Sequence, residues 1–275
     1  MKENRKVLTI AGSDSGGGAG IQADIKTITL LGAYASSVVT ALTAQNTLGV
    51  QDVYAVPARF VALQLDSVLS DIKPDTMKTG MLCDAEIAHA VAERLRSHAA
   101  KNPLVLVVDP VMYSKTGALL LEEKAHGVLM KEIIPLATLV TPNLAETSEL
   151  AGMEVNSIGT MHEAAERIYE LGPKNVLIKG GHLSHEAVDV LYDGQQFSEF
   201  FAPRVQTQHT HGTGCTFSAA IATFLAFGDD LPTAVAAAKE LISAAIETAF
   251  PVGGGIGPVN PYGALLSAEE ETSGA

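Results

Sequence analysis

The stretch richest in chemical possibility is Thr210-His211-Gly212-Thr213-Gly214-Cys215-Thr216-Phe217-Ser218. A glycine-rich turn opens directly onto a segment with Phe217, Ile221, Phe224 and Leu225 at helical spacing. The first amides of a helix have no carbonyl partner within it, and its dipole adds partial positive charge there. Together they make a seat for an anion, such as the charge developing on a transferred phosphoryl group. Cys215 falls in the first turn, where a thiolate is favoured. A lone cysteine also reads as a small buried hydrophobe; its place in this loop favours the functional reading.

Further candidates sit where strand-like runs end. Val7 to Ala11 runs into the loop Gly12 to Gly20, with glycines at 16, 17, 18 and 20. They allow close approach of backbone to a ligand, or simply a tight turn. Gly18, Gly20 and Ala23 match a dinucleotide fingerprint, but that fold needs an acid at the end of the second strand to hold the ribose. Between Asp24 and Asp52 there is neither Asp nor Glu, which argues against NAD, and the chain has no Gly-Lys dipeptide and hence no Walker A loop. Gln45 could hold a heteroaromatic ring edge in two hydrogen bonds, or bond backbone as an ordinary loop amide. Asp109, in Val107-Val108-Asp109-Pro110, is placed to hold magnesium or phosphate-linked water, or to cap a turn. Asn143 and Glu146 share one helical face and suit hydrated magnesium, though a capping box has nearly the same pattern. Lys179 ends a buried strand and needs an anion there, phosphate being the natural one.

Apolar runs of strand length alternate with helical periods. Strands are expected at Val7 to Ala11, Ser36 to Leu42, Asp75 to Gly80, Leu104 to Val108, Leu139 to Thr141 and Val176 to Lys179. Helical stripes lie between them, such as Ile21, Ile25 and Ile28, or Ile87, Val91 and Leu95. Helices are also expected from Glu122 to Ile133, Asn143 to Ala151, Met161 to Leu171, Gly214 to about Phe227, and Leu231 to Ala249. Ala187 to Ala202 alternates around Asp193-Gly194 and predicts a β-hairpin. This is the pattern of an α/β chain with a mostly parallel sheet and helices on both faces, three layers in all. Ligands in such folds bind outside the carboxyl ends of the strands.

Composition narrows the function classes. The chain has 275 residues, 47% of them apolar and 18% charged, enough for a substantial core. No linker divides it, so one domain over 1–275 is expected, with a mobile tail from about 268 to 275. The net charge of −13 argues against nucleic-acid binding. Two cysteines, Cys83 and Cys215, make neither a disulfide scaffold nor a zinc cluster. The uncharged stretch Thr27 to Gln51 is too interrupted by Gly, Ser, Thr, Gln and Asn to span a membrane, and no export signal is visible. A cytoplasmic protein is expected.

Taken together, LTIAGSDSGGGAGIQAD (Leu8 to Asp24), TAQNT (Thr43 to Thr47), KTGML (Lys78 to Leu82), VVDPVM (Val107 to Met112), TPNLAE (Thr141 to Glu146), KGGH (Lys179 to His182) and HGTGCTFSAA (His211 to Ala220) resemble the vitamin-kinase branch of the ribokinase superfamily. Within it the chain is most similar to the hydroxymethylpyrimidine/phosphomethylpyrimidine kinases. The resemblance implies a ribokinase-like fold, a homodimer, and an ATP- and Mg2+-dependent enzyme of thiamine biosynthesis. Such an enzyme phosphorylates 4-amino-5-hydroxymethyl-2-methylpyrimidine and then its monophosphate. Gln45 matches the pyrimidine-binding residue, and Gly12, Asp24 and Met81 match positions around the ring. Asp109 and Glu146 match the metal region, Asn143 and Lys179 the nucleotide phosphates. Gly212, Thr213, Gly214 and Cys215 match the anion hole and the catalytic position, where the wider superfamily has Asp. A pyridoxal or pyridoxine kinase of the same branch is the alternative; Gln45 and the KGGH segment favour the pyrimidine. A non-catalytic binder would not need this set of residues, and an oxidoreductase would need the missing ribose acid.

Overall fold

The computed structural model describes residues 4–114, 117–181, 187–264 and 266. His182 of the KGGH segment and the tail expected from about 268 lie outside the described residues. Strands β1 (Lys6–Asp14), β2 (Tyr34–Asn46), β3 (Gly49–Ala55), β4 (Thr76–Thr79), β5 (Leu106–Val108), β6 (Leu139–Val140), β7 (Val176–Gly180), β8 (Ala187–Tyr192) and β9 (Phe197–Ala202) form one sheet in the order β3-β2-β1-β4-β5-β6-β7-β8-β9. The six strands from β2 to β7 are parallel; β3 at one edge and β8 and β9 at the other are antiparallel.

Strand alternation sends successive side chains to opposite faces, so each face of the sheet needs its own cover. Leu8, Ile10, Met77, Leu106 and Val108 pack on one side, beneath α2 (Ala58–Asp71), α3 (Ala85–Ala99), α4 (Glu123–Val128) and α6 (Ile158–Tyr169). Val7, Val107, Leu139 and Leu177 pack on the other, beneath α1 (Gly20–Leu30), α7 (Thr213–Phe227) and α8 (Leu231–Glu247). The three layers expected from the sequence are present. Helix α4 continues through a wide turn at Leu129–Ile133 and a tight one at Ile134–Leu136, and α5 (Leu144–Ala151) follows β6. Helix α7 is buried continuously from Thr216 to Thr223. Two of its buried hydroxyls are satisfied within the helix, Ser218 donating to the Gly214 carbonyl and Thr223 to that of Ala219, whereas the buried Thr216 hydroxyl has no partner.

Two features differ from the sequence expectation. Strand β2 is longer than Ser36 to Leu42, so Gln45 stands on a strand rather than in the loop after it. The reason is β3, an antiparallel partner that extends the ladder: Gln45 pairs with Val50 and Asn46 with Gly49. The sequence of β3 carries weak alternation because an edge strand has little to bury. The hairpin of β8 and β9 joins the main sheet through β7.

The sheet holds a charged pair where hydrocarbon would be expected. Lys78, midway along β4, donates its Nζ to Asp24 Oδ1 of α1 at 2.7 Å, and both side chains are 0% exposed. Thr9 of β1 donates to the other oxygen of Asp24 at 2.6 Å. Two strands and a helix are thereby tied at one point beneath the strand ends. Removing one member leaves a buried charge without its partner, a loss of about 3–5 kcal/mol. Lys78→Met is therefore expected to lose about 3 kcal/mol or more in equilibrium urea unfolding. A loss below about 1 kcal/mol would show that the pair contributes little.

Candidate active site

In this sheet the chain moves from β1 outward to β2 and β3 and then returns through α2 to β4 on the other side of β1. The carboxyl ends on either side of that reversal are where a crevice opens. A cavity of about 860 Å³ lies there. Strand order places its lining in sequence along the sheet edge: Gln45 from β2, Gly12 from β1, Met81 after β4, Asp109 after β5, Asn143 and Glu146 after β6, Lys179 on β7, Asp189 on β8 and Ala202 on β9. The turn Thr210 to Cys215 forms part of the same wall. Gln45 and Cys215 thus share one cavity. Of the site residues that the resemblance implied, Asp24 alone does not line it. It is matched to a ring position by resemblance, but both of its carboxylate oxygens are used within the sheet by Lys78 and Thr9. Its contribution is to hold the floor.

The first glycine loop is not an anion seat. Asp14 ends β1, is almost fully buried, and accepts from the amides of Gly16 at 2.8 Å, Gly18 at 3.0 Å and Ala19 at 2.8 Å. The loop closes on this carboxylate, which takes three of its amides, while the Gly17 amide bonds the Asp14 carbonyl and the Gly20 amide faces Cys215. Burial pushes the Asp14 carboxyl up, but the hydrogen bond and charge of His211, with the Ala19 and Gly16 amides, outweigh it and hold the group below the usual carboxylate range. His211 Nε2 stands 2.9 Å from Asp14 Oδ2. The loop and the turn into α7 therefore interlock. Gly212 caps α7 in the left-handed region, φ 78°, and a Cβ there would overlap the Gly18 carbonyl oxygen. Glycine alone permits that closure.

Beyond the turn, a Cβ on Gly214 would lie 3.2 Å from Lys179 Nζ and 3.6 Å from Asp109 Oδ2. The unpaired end of α7 is thus directly beside the ammonium. Lys179 donates to Asp109 Oδ1 at 2.7 Å, so its anion in this structure is Asp109. Asn143 and Glu146 form the capping box of α5: Glu146 Oε2 accepts from the Asn143 amide at 2.8 Å and Asn143 Oδ1 from the Glu146 amide at 3.0 Å. Both still line the cavity. Burial, with Asp109 adding to it, pushes the Glu146 carboxyl up to about 7 against the opposing pull of Lys179 and the Asn143 amide. Two carboxylates share one ammonium here, and a further cation would relieve them. Among the described residues no cluster of three or more His, Cys, Asp or Glu could hold a metal unaided. Magnesium does not need one, since one or two carboxylates plus phosphate oxygens and water suffice.

Cys215 is in the first turn of α7, as expected, but its thiolate is not favoured. Burial, reinforced by Asp24 and Asp109, pushes the thiol up to about 11 despite Lys78 and the Gly20 amide. Burial is the chief cause, and the two carboxylates add to it.

Several residues of the site carry no motif that marks them. Asp14 and His211 lie inside quoted motifs, yet their pairing across 197 positions is invisible in sequence. Asp189 pairs with Lys239 of α8 at 2.7 Å and accepts from the Gly180 amide at 2.9 Å, next to Lys179. Lys78 did carry a signal, a lysine inside a short strand whose other residues are Thr and Met. The apolar end of the cavity, with Pro203, Val205, Ile242 and Ile246, carried none.

The state of Cys215 can be read directly. In a Cys83→Ala background, alkylation by iodoacetamide is expected to be slow at pH 7–8 and to climb through about pH 11, because only the thiolate reacts. A rate already at its plateau near pH 8 would contradict the burial argument.

Comparison with known proteins finds relatives over nearly the whole chain. The family model described as phosphomethylpyrimidine kinase matches residues 14–260. The chain is 54% identical over 265 residues to the thiamine biosynthesis bifunctional protein of Geobacter sulfurreducens, covering 96% of the chain and 53% of that protein; it spans about half that relative's length. It is 49% identical to the hydroxymethylpyrimidine/phosphomethylpyrimidine kinase of Streptomyces coelicolor, covering 94% of the chain and 95% of the relative. Among solved structures, the ADP complex of Bacillus subtilis pyridoxal kinase superposes with a TM-score of 0.87 at 40% identity, over 95% of the chain and 99% of that structure. Phosphomethylpyrimidine kinase from Clostridium difficile superposes with a TM-score of 0.78 at 43% identity, over 88% of the chain and 99% of that structure. The chain belongs to the phosphomethylpyrimidine kinase family.

Proposed function

We propose that this chain transfers the γ-phosphoryl group of ATP to the hydroxymethyl group of 4-amino-5-hydroxymethyl-2-methylpyrimidine, and then a second phosphoryl group to the product, in thiamine biosynthesis. The observation that carries this is the order of the cavity wall. A ring-edge amide, Gln45, stands at one end. The end of α7 with Lys179 stands in the middle, and an apolar arm suited to a nucleobase lies at the far end.

The residues act by position and charge. Phosphoryl transfer passes through a loose transition state, so little covalent help is required. The Gly212 to Cys215 amides and Lys179 face the three oxygens of the migrating group and stabilise the charge on them. Gln45, Gly12 and Met81 hold the ring so that its hydroxymethyl oxygen points into this hole. A Cβ at Gly12 would press within 2.9 Å of Met81 Sδ, so the floor stays flat against a ring only as glycine. Asp109 and Glu146, with Asn143 nearby, would hold Mg2+, which neutralises phosphate charge when bound with ATP. Cys215 is protonated at rest. It keeps the catalytic position, and the hydroxyl proton leaves late in the transfer, when the oxygens of the migrating phosphoryl group can take it.

The same fold carries pyridoxal kinases, so the ring is selected by side chains rather than architecture. Gln45 can donate to a ring nitrogen and accept from an exocyclic amine, which pyridoxal lacks. Our reading includes a cytoplasmic homodimer. Leu42 and Tyr54, paired across β2 and β3, are 49% and 66% exposed and offer apolar surface for a partner. No helix of the described residues is long and apolar enough to cross a membrane.

A coupled ATPase assay with the pyrimidine alcohol, its monophosphate and pyridoxal tests the reading. ATP consumption is expected with the first two, with kcat/KM for pyridoxal lower by at least about a hundredfold. Lys179→Met is expected to lower kcat by about a hundredfold or more, as loss of one charge-stabilising donor does. Equal turnover of pyridoxal, or an unaltered Lys179→Met enzyme, would refute the assignment.

A further inference from the structure

Gln45 is held at both ends of its carboxamide. Its Nε2 lies 3.3 Å from His211 Nε2, and its Oε1 lies 3.1 Å from Thr43 Oγ1. The two ends have the same shape, and only the surrounding hydrogen bonds decide which is oxygen and which nitrogen. Those bonds are unusually decisive here. His211 Nε2 stands 2.9 Å from a carboxylate oxygen of Asp14, which can only accept, so Nε2 carries a proton. That single proton points chiefly at Asp14 and has no lone pair behind it to offer Gln45, so an amide nitrogen there would set two donors against each other, whereas an amide oxygen can share the proton. At the other end, Thr43 Oγ1 stands 2.9 Å from the Ser13 carbonyl oxygen, which also only accepts. The Thr43 hydrogen is therefore committed, and the group beside it must donate. Both ends demand the reversed carboxamide, with oxygen toward His211 and nitrogen toward Thr43.

This orientation has a consequence for the substrate, and it rests on the functional reading above. One N–H and one oxygen lone pair of Gln45 remain for a ligand. With nitrogen on the Thr43 side, the ring nitrogen of an aminopyrimidine lies toward Thr43 and its amine toward His211. The hydroxymethyl group is on the next ring carbon, beyond the amine. It therefore lies on the His211 side of the carboxamide, and His211 and Gly212 line the same cavity, with the anion seat beginning at Gly212. The opposite carboxamide would reverse the ring edge and turn the hydroxymethyl group away.

We propose that His211 is a positioning residue for substrate selection: held by Asp14, its Nε2–H fixes the carboxamide of Gln45 in the one orientation that aims an aminopyrimidine's hydroxymethyl group at Gly212. Thr43 completes the lock from the other side. The ligand class is a six-membered heteroaromatic ring with a ring acceptor beside an exocyclic donor. Its 4-oxo counterpart presents a donor beside an acceptor and needs the reversed amide.

The test compares kcat/KM for 4-amino-5-hydroxymethyl-2-methylpyrimidine and its 4-oxo analogue in the full chain. The unsubstituted protein is expected to favour the amine by at least about a hundredfold, because the wrong edge leaves buried polar groups unpaired. His211→Phe keeps the ring but removes the donor, and is expected to bring that ratio to within about tenfold. His211→Gln, which restores an N–H near the position of Nε2, is expected to recover most of the ratio. A purely structural role would lower both rates together and leave the ratio unchanged. Thr43→Val is expected to collapse the ratio as His211→Phe does, and stands in if the latter fails to fold. Nitrogen NMR of the unsubstituted protein labelled at histidine is expected to show His211 Nε2 protonated. An unchanged ratio in a folded His211→Phe or Thr43→Val variant, or an unprotonated Nε2, overturns the inference while leaving the kinase reading intact. No turnover of the aminopyrimidine by the unsubstituted protein overturns the kinase reading and this inference with it.

Discussion

The site depends on one close approach of backbone to backbone. Gly212 adopts φ 78° so that the turn into α7 closes onto the carbonyl of Gly18, with no room for a Cβ between them. That contact brings the start of α7 to the carboxyl ends of the parallel strands, where Lys179 and Asp109 wait. It also brings His211 against Asp14 and Gln45.

The surrounding structure serves to keep that approach in place. The Asp14 carboxylate gathers three amides of the glycine loop and offers the remaining bonding capacity to His211. The Lys78–Asp24 pair locks α1 to β4 just below, and Thr9 binds the same carboxylate from β1. Asp189 fixes the Gly180 amide beside Lys179 and is anchored in turn by Lys239 of α8. In these three sets each buried charge is paired, and each pair joins elements distant in sequence. Breaking one leaves an unpaired charge, which gives the site its geometric uniqueness.

Much of this was legible from residues in order, and the limits have physical causes. The β-branched runs, the hairpin at Asp193-Gly194 and the stripe of Phe217, Ile221 and Phe224 are local patterns, and they formed the elements expected. Strand β3 escaped because an edge strand buries little and so alternates weakly. The glycine loop read as a ligand cradle or a turn, and only the position of Asp14 showed that its amides were occupied. Asp24 matched a ring position, yet a partner 54 residues away, Lys78, holds it beneath the floor. The first-turn position of Cys215 indicated a thiolate, but burial and the carboxylates of Asp24 and Asp109 act through space and reverse the outcome. Local rules report what a residue can do; the field around it depends on contacts that sequence spacing does not encode.

The closure at Gly212 is open to one direct measurement: the single-turnover rate of phosphoryl transfer from labelled ATP to the pyrimidine alcohol by Gly212→Ala, at saturating concentrations of both substrates. The added methyl must displace the α7 turn from Gly18, so the transfer rate is expected to fall by about a hundredfold or more, the scale of losing oxyanion-type donors, in a protein that still unfolds cooperatively. A folded Gly212→Ala variant that transfers phosphoryl within about threefold of the unsubstituted rate would contradict the account at its centre.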